Sequence, residues 1–255
     1  MAVPDGAVEK LGVRTLAQVY VRSFFSQGSF AFGRRQNIGF AFCLEPAGKR
    51  IWKDPEDRRR FYLRHLEYYN GNPFMVTLVL GAVARMEERM RDGDGVGEED
   101  INRFKLAVGQ AVGSVGDRFF WRTLRPFCLV AGLAAACLFG WWGAPLFLAV
   151  FNLPVLYLKW YWLRAGYTLG PRVVIEIKNR NLETAADFME TLGGAALAFL
   201  VVTYLAGPGY GLSLVSASAA ALFALAFAMP RRRIPPSLIM AASALIAVLL
   251  GFVVS

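Results

Sequence analysis

A chain of 255 residues ordinarily makes one or two soluble domains, but 56% hydrophobic residues, 14% aromatics and a mean hydropathy of +0.40 exclude an ordinary soluble globule. The formal net charge of +9 and pI near 9.7 would admit nucleic acid by sign. The Lys and Arg residues border apolar stretches instead, as cytoplasmic membrane flanks do, so lipid is the expected partner and nucleic acid is not.

Charge mixes with apolar residues up to about Arg125, after which apolar residues dominate to Ser255. The expected fold is therefore an all-α integral membrane protein in two regions. Residues 1–125 would be a cytoplasmic-side region of amphipathic and re-entrant helices, and residues 126–255 a transmembrane helical region. No charged n-region with an apolar h-region opens the chain, so its start is expected to stay in the cytoplasm. Cys43, Cys128 and Cys137 lack CxxC spacing and read as small buried hydrophobes, with no disulfide or metal expected.

In chain order, Val8 to Phe25 sets Leu11, Val19 and Phe24 among Lys10, Arg14 and Arg22, which predicts a helix with one apolar face. Gln27-Gly28-Ser29 breaks it. Phe30, Phe32, Phe40 and Phe42 then surround Arg34, Arg35, Gln36 and Asn37. The aromatics suit an anchor at headgroup level, and the two amides suit hydroxyl recognition, since each supplies donors and an acceptor.

Asp54 is a predicted N-cap, with Pro55 at the first helical position and Glu56 and Asp57 complementing the helix dipole. Phe61, His65 and Tyr69 recur every four residues, and Gly71 with Pro73 closes the predicted helix. His65 is the single histidine. With no nucleophile–base partner in view, it reads as a structural hydrogen-bonding residue. Phe74 to Val83 is apolar but too short to span a bilayer, so it reads as re-entrant or buried. Glu87 beside it is a functional candidate, whereas Glu88 reads equally as a partner of Arg85 or Arg91.

Asp92 to Asp100 imitates a calcium loop but places Val96 and Arg103 where ligands are needed, so it reads as a linker. Gly109, Gly113 and Gly116 do not make a dinucleotide fingerprint. They read as close-packing positions, with Asp117 the embedded acid that follows.

Beyond these come apolar segments at Pro126–Trp142, Ala144–Leu163, Glu190–Ala206, Gly211–Ala228 and Ser237–Val254, about five transmembrane helices. A turn at Gly143 and Pro145 separates the first two. Basic residues at Arg118–Arg125, Arg164–Arg180 and Arg231–Arg233 occupy every second loop, which predicts N-in, C-out.

Three stretches carry a resemblance: QGSFAFGRRQNIGF (Gln27–Phe40), RHLEYYNGNP (Arg64–Pro73) and GSVGDRFFWRTLRP (Gly113–Pro126). In order and spacing they resemble the enzyme IID family of the mannose/fructose/sorbose-type sugar phosphotransferase system (PTS), whose members read QGSWNYERMQNxGF, RHLEFFNTxP and GPLAGIGDxxFWxTLRP. The resemblance implies a multi-pass protein of the bacterial inner membrane that forms a sugar permease with a IIC subunit in a hetero-oligomer. Cytoplasmic IIA and IIB proteins would carry the phosphoryl group, leaving this chain with no catalytic residue, metal or cofactor of its own. A hexose-type sugar would meet Gln36, Asn37, Asn70, Glu87 and Asp117. The chain departs from the pattern at Phe30, Ala31, Gly33 and Arg35, at Gly71-Asn72, in the GPLAG core and at Arg118. Loss of an amide at Ala31 and a carboxylate at Gly33 raises a second reading, a non-transporting scaffold that docks cytoplasmic PTS proteins.

Overall fold

The computed structural model describes residues 10–175 and 182–206, and every regular element among them is helical. The last two expected spans, Gly211–Ala228 and Ser237–Val254, lie outside the described residues. Two compact units divide the chain. One holds the chain up to Asp117 together with the stretch from Pro154, and the other holds Arg118–Leu153 together with the described residues from Leu182. These units follow packing, whereas the division at Arg125 followed hydropathy.

The first unit is built around α4 (Val76–Arg91), whose residues from Val76 to Ala84 are all buried. The apolar run expected to be re-entrant or buried is the centre of this core. Around it pack α1 (Val13–Arg22), α2 (Asn37–Ile51), α3 (Pro55–His65) and α5 (Glu98–Gly116). The C-terminal half of α7 (Gly143–Leu169) reaches α4 through paired glycines. A Cβ at Gly81 would stand 2.2 Å from the Leu163 carbonyl oxygen, and one at Gly166 would stand 2.2 Å from that of Leu78. Both backbones touch because neither carries a side chain there.

Local signals hold in α1 and α3, with two corrections. In α1, Leu16 and Val19 are buried as the apolar face requires. Phe24, expected on that face, is instead 47% exposed and lies 4.5 Å from the Lys159 ammonium. The Asp54 carboxylate caps α3 by accepting from the Glu56 and Asp57 amides. The helix ends at His65, well before Gly71. Tyr69 is therefore not on its face; its backbone pairs with Arg35. The carbonyls beyond His65 are taken by distant donors, and that competition ends the helix.

In the second unit, Asp117–Leu124 winds as a π-helical segment into α6 (Arg125–Phe139). The reversal into α7 falls at Gly140–Trp142, with Gly140 at φ 62, rather than at Gly143 and Pro145. A positive φ suits the residue without a Cβ. Gly143 lies inside the approach, where a Cβ would meet the Gly132 carbonyl oxygen at 2.5 Å. α8 (Leu182–Ala206) packs on α6, with Thr123 donating to Glu190 (2.8 Å) and Arg118 bonding Asp187 (3.0 Å). Among the described residues, one continuous stretch, Gly140–Ile175, is long and apolar enough to cross a membrane. The three thiols are free; Cys43 and Cys128 are buried as expected, but Cys137 is exposed.

Candidate functional site

The segment after α3 organises the polar residues of the first unit. Asn37 donates from Nδ2 to the Leu66 carbonyl (2.6 Å), and Gln36 donates from Nε2 to that of Gly71 (3.1 Å). The Gln36 amide also donates to the Tyr69 carbonyl (2.9 Å). The loop between His65 and Pro73 is thus fastened to the start of α2 by the two amides singled out in the sequence. Its other side lies on the glycine stripe of α5. A Cβ at Gly109 would stand 3.1 Å from the Asn70 carbonyl oxygen and 3.0 Å from the Tyr69 ring, and one at Gly116 2.5 Å from Asn72 Cγ. Asn72 then donates to Asp117 (2.8 Å) while its Oδ1 accepts from the Phe74 amide (2.9 Å).

Gln36, Asn37, Asn70 and Asp117 are therefore joined through one loop. Asn70 is exposed, whereas Gln36 and Asn37 are only 3% and 4% exposed. Gln36 Oε1, Asn37 Oδ1 and the Tyr69 hydroxyl are buried without a hydrogen-bond partner. Each orphaned group costs about 1–3 kcal/mol. One N–H of each side-chain amide is used on the loop, and both amide oxygens are left without a donor.

Glu87 stands apart from this group. It is fully buried, and Arg64 grips it through Nε (2.7 Å) and Nη2 (2.6 Å). Trp52 Nε1 (2.9 Å) and His65 Nε2 (2.9 Å) complete its surroundings. A carboxylate offers about four lone-pair directions, and four donor atoms from these three residues occupy them. Burial alone would raise the Glu87 carboxyl, but the hydrogen bonds from Arg64 and His65 hold it down at about 2. For His65 burial wins: it sits at about 4, against the pull of a carboxylate that Arg64 already neutralises. The neutral ring then donates from Nε2, leaving the buried Nδ1 without a partner. His65 is the structural hydrogen-bonding residue expected from its isolation.

Glu88, also fully buried, accepts from Arg85 (2.8 Å), from Tyr167 (2.8 Å to Oε1) and from the Leu11 amide (2.7 Å). Its pairing with Arg85 was one of the two expected from sequence.

Residues 10–207 match the family described as PTS system mannose/fructose/sorbose family IID component. The chain belongs to that family. It is 31% identical over 194 residues to the mannose-specific EIID component of Escherichia coli K12, covering 76% of this chain and 69% of the relative. To the sorbose-specific EIID component of Lacticaseibacillus casei it is 30% identical, over 73% of this chain and 66% of the relative. Among solved structures it resembles a chain of the mannose transporter ManYZ in complex with microcin E492. There the TM-score is 0.61 at 26% identity, covering 97% of this chain and 98% of the other. This IID chain is thus a membrane component of a PTS sugar permease.

Several residues of the site lacked a sequence reading of their own. Arg64 lies inside a quoted motif, but its grip on Glu87 depends on how α3 meets α4. Asn72 was noted only as a departure, yet it links the loop to Asp117. Lys105, 1% exposed, donates to the Arg64 carbonyl (2.6 Å), and burial pulls its ammonium down to about 8. One signal was available for it. Ile101, Lys105, Val108 and Val112 share the buried face of α5, and a lysine at that spacing marks a buried cation.

Proposed function

We propose that this IID chain forms the translocation unit of a mannose-type permease with a IIC subunit, and that a hexose-type sugar is bound between donors and acceptors the two subunits supply. The observation that carries the reading is the pair of buried amide oxygens, Gln36 Oε1 and Asn37 Oδ1, left without donors beside the loop that bears Asn70. Sugar hydroxyls are the donors such acceptors lack; because both oxygens are buried, the exposed loop at Asn70 has to shift for a hydroxyl to reach them. Asn70 adds an exposed amide, and Asp117 acts from the far end of the loop through Asn72. Glu87, with its lone pairs already engaged, serves the site as a positioning residue that fixes the start of the loop through Arg64 and His65.

The chain carries no phosphoryl group in this scheme. His65 is completely buried and its Nε2 faces Glu87, so it is closed to a phosphoryl donor. Phosphorylation falls to a IIB subunit supplied by IIA on the inner side of the bacterial inner membrane. The chain crosses that membrane about five times, N-in and C-out, which follows from apolar lengths and alternating basic loops. The scaffold reading drew on Ala31 and Gly33. These lie on the turn closed by the Ala31–Arg35 backbone pair, where Gly33 is exposed and a Cβ on it would meet nothing within 4 Å. Their loss leaves Gln36 and Asn37 in place, which favours transport.

Isothermal titration of the purified IIC–IID complex with hexoses and amino sugars tests this. Asn70→Ala should weaken binding about tenfold or more, while Ala31→Asn with Gly33→Glu should change it little. No sugar heat in the native complex, with binding gained in the restored variant, would favour the scaffold instead.

A further inference from the structure

The C-terminal half of α7 buries one stripe inside the first unit. Val155, Lys159, Trp162, Leu163 and Gly166 recur at helical spacing, and each is buried. Lys159, 3% exposed, is the charged member, and it lies within Gly140–Ile175, the stretch apolar enough to cross a membrane. A charged side chain in such a stretch is costly to keep, and the partner it meets there says what it is kept for.

Its partners are main-chain carbonyls far off in sequence rather than a carboxylate. Lys159 Nζ donates to the Pro73 carbonyl (3.0 Å) and to that of Ser23 (3.3 Å), and the Phe24 ring stands 4.5 Å away. The three donors of an ammonium suffice for these contacts. Ser23 closes α1. Pro73 ends the loop that bears Asn70, next to Asn72, whose carbonyl takes the Met75 and Val76 amides (3.1 and 2.9 Å) as α4 begins. The start of the loop is fixed by Glu87 through Arg64 and His65, and Leu66 and Gly71 are held by Asn37 and Gln36. Lys159 grips the end of the loop that those bonds do not reach. A methionine would fill the stripe without taking an ion out of water, so packing does not call for a lysine; the two carbonyls do.

We propose that Lys159 is a positioning residue for sugar binding. From α7 it pins the Pro73 end of the loop to the end of α1. The loop then shifts about a fixed end when a hydroxyl reaches Gln36 and Asn37, and Asn70 is brought to one place. This rests on the sugar reading of the loop and adds to it a residue that touches no sugar.

The test is isothermal titration of the purified IIC–IID complex with mannose, fructose and glucosamine. Lys159→Met should weaken binding about tenfold, as should Asn70→Ala. Because Lys159 acts through the loop, the two losses should not add. The double variant should bind about as weakly as Asn70→Ala alone, whereas a lysine that only supports the fold would give a loss of about a hundredfold. Lys159→Arg keeps the charge and the donors, and should retain sugar binding better than Lys159→Met. Additive losses overturn the proposal, and so does an equal loss in the Arg and Met variants. It also falls if Lys159→Met binds sugar like the native complex while Asn70→Ala is still weakened, a result that leaves the sugar reading standing. Absence of sugar heat in the native complex, or an Asn70→Ala variant that binds normally, removes the sugar reading and this proposal with it.

Discussion

Glu87→Gln is the substitution that best separates a positioning residue from a sugar ligand. Glutamine nearly matches the shape, but it replaces an acceptor oxygen with an amide donor. Whichever way the amide turns, its NH2 faces two of the four donors around it: Arg64 Nε and His65, or Arg64 Nη2 and Trp52. Arg64 is also left with a side chain 3% exposed and only the half-exposed Glu98 as an acidic partner. Removing one member of a buried ion pair costs about 3–5 kcal/mol, because the other charge stays buried. Glu98→Gln removes the exposed partner and should cost less than about 1 kcal/mol. For a chain of this size each kcal/mol lowers the melting midpoint by about 2–4 °C, so Glu87→Gln should lower it by roughly 6–20 °C. The assay is thermal unfolding of the detergent-purified complex followed by tryptophan fluorescence, with sugar titration below the transition. A midpoint no lower than that of Glu98→Gln, with sugar binding abolished, would refute the reasoning and return Glu87 to the sugar.

The glycine stripe yields a second expectation. Gly116→Ala sets a Cβ 2.5 Å from Asn72 Cγ, so the loop must shift, and sugar affinity should fall about tenfold or more with helicity by circular dichroism unchanged. Acid should destabilise the first unit in two windows. The unfolded histidine takes its proton near 6.5 and folded His65 resists until about 4, so the unfolded state binds more protons between them and stability falls as pH drops through that range. Glu87, lowered from 4.5 to about 2, adds a further loss between those values. Urea midpoints measured across pH should show both windows, and His65→Gln should flatten the upper one.

What could be read in advance was what neighbouring residues decide among themselves. The Asp54 cap, with Pro55 behind it, needs only the chain within a turn of itself. Burial of Met75–Val83 follows from composition over a short run. The close approach at Gly109 and Gly116 follows from the spacing of residues without side chains. What escaped was the identity of partners far apart in sequence. α3 was expected to run on to Gly71 because its local pattern allows it. It stops at His65 because Asn37 and Gln36, about 30 residues earlier, offer side-chain donors to the Leu66 and Gly71 carbonyls.

Glu87 shows the same limit from the functional side. Its place just beyond the apolar run Phe74–Val83, among Arg85, Glu88 and Arg89, suits a polar patch or a solvated helix end equally; folding buries it, and a buried acid must be paired. Periodicity cannot tell pairing by a ligand from pairing by the protein. Trp52, Arg64 and His65 lie 22 to 35 residues away and converge only once α2, α3 and α4 have packed. For Gln36 and Asn37 the situation is reversed, since one N–H of each is spent on the loop while both oxygens are left over. Polar groups saturated within the chain hold the loop, and the unsaturated ones are where a sugar can add a hydrogen bond without breaking one. That difference, which appears only after folding, is the ground on which we place the acid in the frame of the proposed site and the amides on its face.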